Sequence, residues 1–171
     1  GASARRDGQY WRARSCAIVT GSGTVLADNP RLTVREWPCA PQPLRVVVDR
    51  RGRVSTDDGL LQSPNPALHL IGAKWTPATV LGHLADQGCN EVLLEAGPVL
   101  SAAWLQAGVV DELILYQNPS VLGPGRSLFD LPPLSALEQR WRLQVMDRRQ
   151  FGEDSRIIAR PVREDDGGGA I

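Results

Sequence analysis

Apolar and polar positions along this chain fall into short blocks whose period keeps changing. Ala4, Tyr10, Trp11 and Ala13 recur at helical spacing among charged residues between Ser3 and Arg14, which predicts an amphipathic helix. An unbroken apolar run then spans Cys16 to Thr20. Similar runs follow at Leu44–Asp49, Ala67–Gly72, Glu91–Glu95 and Leu113–Tyr116. Short, β-branched runs without alternation predict strands covered on both faces. Helical spacing returns between them. Val80, Leu81, Leu84 and Ala85 mark a helix over Thr76–Gln87 with Gly88 as its C-cap. A second such helix runs from Pro98 to about Ala107, with proline in the first turn. Two final strands, around Trp141–Met146 and Ser155–Ala159, flank a turn at Gly152-Glu153-Asp154.

Strands alternating with helices imply βαβ units and a parallel sheet. The last two strands are close enough to pair as an antiparallel hairpin at an edge. The expected architecture is one α/β domain, a mixed and mostly parallel sheet with helices on both faces. Pro38, Pro41 and Pro43 mark a surface crossing, Leu60–Pro66 a turn-rich connector, and Gly123–Arg126 a loop. The tail 164–171, with Gly167-Gly168-Gly169, is expected to be disordered.

Composition narrows the function. The 171 residues carry 19 basic and 19 acidic side chains, so the basic excess of a nucleic-acid binder is missing. No apolar run approaches the ~20 residues of a membrane span, and the N-terminal residues lack the apolar core of a signal peptide. Cys16, Cys39 and Cys89 are odd in number and far apart. They form no CxxC pair, and His69 and His83 are isolated, so no metal site is expected. Cys16 and Cys89, in or beside apolar segments, read as ordinary buried thiols. Without a disulfide framework the cytoplasm is the expected compartment.

Two blocks carry candidate chemistry. In the first, the Cys16–Thr20 strand empties into a glycine-bearing loop, Gly21-Ser22-Gly23-Thr24, followed by Asp28, the Asn29-Pro30 turn, Arg31 and Arg35. Ligands in α/β folds gather beyond the carboxyl ends of strands. The glycines admit a bulky ligand, Thr24 adds a hydroxyl, and the arginines offer forked donors suited to phosphate. In the second, Glu95-Ala96-Gly97-Pro98 joins a strand to a helix whose free N–H groups suit an anion. Glu95 there can accept from a ligand hydroxyl or take part in proton transfer. Facing each other at one sheet edge, the two loops would suit an elongated ligand. On residue type alone, Asp28 also fits a turn acid, Arg31 a solvated charge and Gly97 a tight turn. GxGxxG, Walker and GxSxG patterns are absent.

Taken together, GTVLADNPRLTVR and LLEAGPVLSAAWLQAGVVDELILY resemble the reductase domain of the bifunctional riboflavin-biosynthesis deaminase/reductase family. The likeness extends from about Ala4 to Pro161. It implies a dihydrofolate-reductase-like three-layer fold and NADPH-dependent reduction of 5-amino-6-(5-phosphoribosylamino)uracil to its ribitylamino form. By the same resemblance, Thr24 and Asp28 match NADP-contacting positions. Gly97, Pro98, Val99, Leu100, Ser101, Ala102 and Ala103 match the pyrophosphate loop. Arg12, Leu32, Arg35 and Glu95 match substrate contacts, with Glu95 or Asp28 as the proton-handling acid. A homodimer is implied as well. The family's domain begins with one further strand and a loop bearing a serine and a tryptophan, so residues 1–163 are expected to form an N-terminally incomplete reductase domain. The deaminase zinc signature is absent, because Pro38-Cys39 has no second cysteine at the required spacing. Two rival readings are a related reductase acting on a pterin-like heterocycle, and a non-catalytic remnant serving as an oligomerisation module. Arg12 and Arg35 bear on the first, since an unphosphorylated pterin does not need them.

Overall fold

The computed structural model describes residues 1–38, 41–62, 64–65 and 67–162. Its elements are α1 (Ala2–Arg14), β1 (Ala17–Gly21), α2 (Ser22–Asp28), β2 (Leu44–Asp49), α3 (Gly59–Gln62), β3 (Ala67–Ile71), α4 (Pro77–Asp86), β4 (Val92–Leu94), α5 (Pro98–Gln106), β5 (Leu113–Gln117), a 3₁₀ turn (Leu137–Gln139), β6 (Leu143–Phe151) and β7 (Asp154–Pro161). The first four strands form a parallel sheet in the order β3-β2-β1-β4. β1 is central, and Ala17, Ile18, Val19 and Thr20 are fully buried.

Alternation along β1 divides the core. Ala17 and Val19 face a cluster completed by Val46, Leu70, Val80, Leu84 and Trp104, so α4 and α5 cover that face. Ile18 faces Val25, Leu32, Val47, Val54 and Leu60, so α2 and α3 cover the other. Each fully buried Val, Leu or Ile contributes about 1.5–3 kcal/mol relative to exposure, which makes this two-faced strand the anchor of the domain. Thr76 caps α4 by accepting from the Thr79 N–H, and Gly88, at φ 80°, turns the chain out of the helix.

The remaining strands form a separate antiparallel sheet, β5-β7-β6. The parallel part and the hairpin part of the expected sheet are therefore two ladders, with no strand pairing between β4 and β5 among the described residues. α1 ties them together. Asp7 accepts from Arg156 (2.7 Å) on β7 and Tyr116 (2.5 Å) on β5, while Arg12 and Arg14 reach Glu95 and Glu91 at the two ends of β4.

Four local expectations are corrected. The segment Gly21–Thr24 is not a loop: Gly21 is the N-cap of α2, whose buried Val25 pulls the residues into a helical turn. That helix ends at Asn29 in the left-handed region (φ 40°), where its N–H reaches the Val25 carbonyl at 2.9 Å. The start of the Leu60–Pro66 connector is helical, because α3 (Gly59–Gln62) buries Leu60. β6 runs on to Phe151, paired with Asp154, so the turn shrinks to Gly152-Glu153, and a bulge between Val145 and Asp147 absorbs the change of register. Cys16 is exposed, since it lies just before β1. Cys39 and the tail predicted to be disordered lie outside the described residues. No helix of the described residues is long and apolar enough to cross a membrane.

Candidate active site

β1 and β4 are neighbours in a parallel ladder, so the helices that follow them start side by side at the carboxyl edge. Gly21 opens α2 and Gly97 opens α5, each in an extended conformation. A Cβ at Gly97 would lie 3.8 Å from Thr24 Oγ1, and a Cβ at Gly21 only 3.3 Å from Leu100 Cδ2. Gly21 thus lets α2 and α5 approach closely, whereas a side chain at Gly97 would meet Thr24 in ordinary contact, and the two sequence blocks do face each other. The first N–H groups of α5 have no partner within the helix and sit at its positive end. Ser101 Oγ donates to the Ala96 carbonyl at 3.2 Å, which steadies the turn beneath them.

Beside this edge, Arg12 grips Glu95 as a two-pronged fork, Nε to Oε1 at 2.7 Å and Nη2 to Oε2 at 2.6 Å. Its remaining nitrogen donates to the Thr33 carbonyl at 3.2 Å. The Glu95 hydrogen bonds outweigh the opposing effect of burial and raise the Arg12 pKa above its ordinary value. The segment after α2 is held by side-chain amides. Gln9 accepts from the Arg35 N–H at 2.9 Å, and Gln42 both accepts from and donates to Val34, at 2.8 and 3.1 Å. Leu32 is left-handed at φ 49°, an uncommon state for a non-glycine residue, and its buried side chain is what holds it there.

A cleft of ≈ 1180 Å³ opens next to these groups. Arg12, Arg35, Glu95 and Ser101 line it, whereas Thr24, Asp28 and Gly97 lie outside its wall. The guanidinium of Arg35 is exposed and has no partner among the described residues. Asp28 is exposed at the last turn of α2, one turn beyond Thr24. Leu32 follows α2 with its side chain turned away from the cleft. Its side chain packs in the core, so any ligand contact from it must come from the main chain. Ala102 is likewise buried and Leu100 packs inward. The run 97–103 therefore offers a ligand its first-turn main chain, the exposed Val99 and, toward the cleft, Ser101.

Sequence reasoning missed one polar network. Asp49 ends β2 fully buried, accepting from the Val54 N–H (2.8 Å) and contacting His69 Nε2 (3.2 Å). Burial alone would raise its pKa, but the bonds from Val54, His69, Ser22 and Arg51 prevail and hold it below the usual carboxylate range. Arg53 donates to Ser22 Oγ at 2.9 Å, so the network fixes the first residue of α2. The only sequence signal was an acid closing a β-branched strand just before a glycine turn. Among the described residues no cluster of three His, Cys, Asp or Glu could hold a metal.

A parallel sheet whose carboxyl edge gathers two helix N-termini beside an arginine-lined cleft defines an α/β domain with a candidate ligand site at that edge. The chain belongs to the RibD C-terminal domain family, whose model matches residues 1–157. It is 37% identical over 185 residues to the riboflavin biosynthesis protein RibD of Escherichia coli K12, covering 88% of this chain and 50% of that protein. It is 28% identical over 201 residues to a Buchnera aphidicola protein named 5-amino-6-(5-phosphoribosylamino)uracil reductase, covering 94% and 93% of the two. The solved structure of Acinetobacter baumannii RibD (form 2) superimposes with a TM-score of 0.85 at 35% identity, over 95% of this chain and 51% of that one. The chain spans about half the length of the RibD proteins it matches.

Proposed function

We propose that this domain reduces 5-amino-6-(5-phosphoribosylamino)uracil to 5-amino-6-(5-phosphoribitylamino)uracil with NADPH. The observation that carries the reading is the pairing of two neighbouring sites. One is an anion-suited helix start opposite Thr24, and the other is a cleft holding Arg12, Glu95 and Arg35. The edge suits a dinucleotide's pyrophosphate, because the free N–H groups at the start of α5 stand beside Thr24, whose Oγ1 would lie 3.8 Å from a Cβ at Gly97. Thr24, Asp28 and the 97–103 turn would hold the cofactor, which supplies the hydride when bound.

The rest falls to side chains of this chain. Arg35, anchored through its own N–H by Gln9, extends a free guanidinium for the substrate phosphate. Arg12 already serves Glu95, so its role is to orient that carboxylate more than to bind phosphate. Glu95 lines the cleft and Asp28 does not, which favours Glu95 as the group that accepts from the sugar hydroxyl as the ring opens. We also infer a homodimer. The edge strand β6 and its approach expose Trp141, Leu143, Val145 and Met146, an apolar edge of the kind a second copy covers. A cytoplasmic site of action fits the free thiols Cys16 and Cys89.

The reading is tested by titrating NADPH and substrate separately against the wild-type chain and Arg35→Ala, following nicotinamide fluorescence and then its absorbance during turnover. The expected result is a loss of about 10- to 100-fold in substrate affinity, matching roughly 1.5–3 kcal/mol for a charged hydrogen bond, with NADPH affinity kept. An equal loss for both ligands refutes the assignment of Arg35, and absence of NADPH binding at millimolar concentration refutes the reductase reading for this chain. Sedimentation velocity tests the dimer.

A further inference from the structure

The helix that carries Thr24 and Asp28 is poorly secured by its own sequence. α2 has seven residues, well short of the ~12–15 at which an isolated helix becomes even marginal in water. Its N-cap is Gly21, which has no side chain to offer, and its first turn holds no acid. Val25 anchors the middle of the helix in the core. The end that faces α5 needs another hold, and Ser22 provides it. The β1–β2 ladder pairs Gly21 with Val48, so one step further sets Ser22 opposite Asp49. Ser22 is buried, and the exposed Arg53 donates to its Oγ at 2.9 Å.

Asp49 is the joint behind that hold. Its carbonyl accepts from the Gly52 N–H at 3.3 Å and the Gly72 N–H at 3.2 Å, so the turns that end β2 and β3 both close on this one residue. Both glycines have positive φ, 62° and 107°, which a side chain would strain. The carboxylate takes the Val54 N–H on one side and meets His69 Nε2 on the other. A fully buried carboxylate is costly unless donors surround it. Burial would raise its pKa, but these donors, with the Ser22 hydroxyl, hold it below the usual carboxylate range and keep it charged at neutral pH. The order of contacts excludes a hydrolytic triad. The imidazole touches the acid instead of the serine, and the serine hydroxyl is buried. The network has no reacting group, so its work is to hold other groups in place.

We propose that Asp49, backed by His69, is a positioning residue for the cofactor half of the site: through Ser22 it sets the first turn of α2, and with it the place of Thr24 opposite the start of α5. This role rests on the reductase reading, in which Thr24 contacts NADPH. Ser22 and Thr24 share one helical turn, and Thr24 Oγ1 would lie 3.8 Å from a Cβ at Gly97, so a shift at Ser22 changes the spacing between Thr24 and the free N–H groups of α5. The substrate half is fastened separately. Gln9 and Gln42 hold Arg35 and Val34, and Arg12 holds Glu95. Loosening the Asp49 joint therefore weakens the cofactor and spares the substrate.

The test compares Ser22→Ala, Asp49→Asn and the double variant with the wild-type chain by two measurements. The first is amide hydrogen exchange without any ligand. Exchange at Leu26, Ala27 and Asp28 is expected to quicken by at least about tenfold in each variant, with Val46 and Val47 unchanged as a check that the fold is intact. Alanine has the higher intrinsic helix propensity, so faster exchange in Ser22→Ala reports a lost anchor and not a poorer helix former. The second is affinity. The Kd for NADPH is expected to rise about 5- to 10-fold, the size of one net hydrogen bond, with substrate KM at saturating NADPH and kcat within about twofold. The double variant should lose little more than the worse single one, because both act along one route. Unchanged exchange in α2, a loosened α2 with unchanged Kd, an equal rise in substrate KM, or additive losses in the double variant overturns the proposal. Failure of the wild-type chain to bind NADPH refutes the reductase reading instead, and the exchange measurement, which needs no cofactor, still decides whether Asp49 holds α2.

Discussion

Replacing either member of the Arg12–Glu95 pair probes the joint between α1 and the parallel sheet. The pair makes two short charge-assisted bonds, 2.7 and 2.6 Å, and the side chains are 16% and 31% exposed. Exposed pairs are worth about 0.2–1 kcal/mol, whereas removing one partner of a fully buried pair costs about 3–5 kcal/mol. Partial cover with two-pronged geometry puts the coupling near 2 kcal/mol. A double-mutant cycle of Arg12→Met and Glu95→Gln isolates it, because the Arg12–Thr33 bond is lost in the single Arg12 variant and in the double variant alike, and cancels. With a urea m-value of about 2 kcal/mol/M, each single variant should shift the unfolding midpoint by roughly 1 M, and the double variant by little more than one single. Tryptophan fluorescence provides the signal, since Trp11 is buried one residue from Arg12. Additive shifts, with coupling below about 0.5 kcal/mol, would refute the claim that this contact fastens α1 to β4.

Three further outcomes are expected. Thr20 is fully buried and its hydroxyl has no partner among the described residues, so Thr20→Val should raise stability by about 1 kcal/mol in the same urea assay. Asp49 has a depressed carboxyl pKa in the folded state, so its stabilisation is complete above the ordinary value of about 3.9 and is lost as the pH falls through the folded value. Asp49→Asn should therefore be less stable at neutral pH yet flatter along its acid limb, as read from midpoints collected across pH. Gln9→Met removes the acceptor for the Arg35 N–H and should raise the substrate KM about 3- to 10-fold with kcat kept. Gln9→Glu, which accepts from the same N–H, should restore KM, and loss of kcat in both would contradict a positioning role.

The strand-helix rhythm was legible because each parallel strand is short, β-branched and covered on both faces, and each helix between them keeps helical spacing. The errors share a cause. Gly21–Thr24 and the residues around Leu60 look like loops because they are rich in small and polar residues, and they become helical only when Val25 and Leu60 are drawn into the core. Two further residues were marked only by the family resemblance: packing turns the Leu32 side chain inward at positive φ, and the fold brings Glu95 against Arg12 from a distant part of the chain.

By itself, then, the sequence determined the class of fold, the two glycine-bearing strand ends and the set of residues around them, because these depend on local periodicity and on residue chemistry. The tertiary structure decided how those residues are used. It committed Arg12 to Glu95, left the Arg35 guanidinium without a partner among the described residues, and joined Asp49, His69, Ser22 and Arg53 into a network from two strands, a helix start and a turn. It also left β4 and β5 in separate ladders among the described residues. Partnerships between distant side chains and the pairing of strand edges depend on how elements pack in space, which no local pattern encodes.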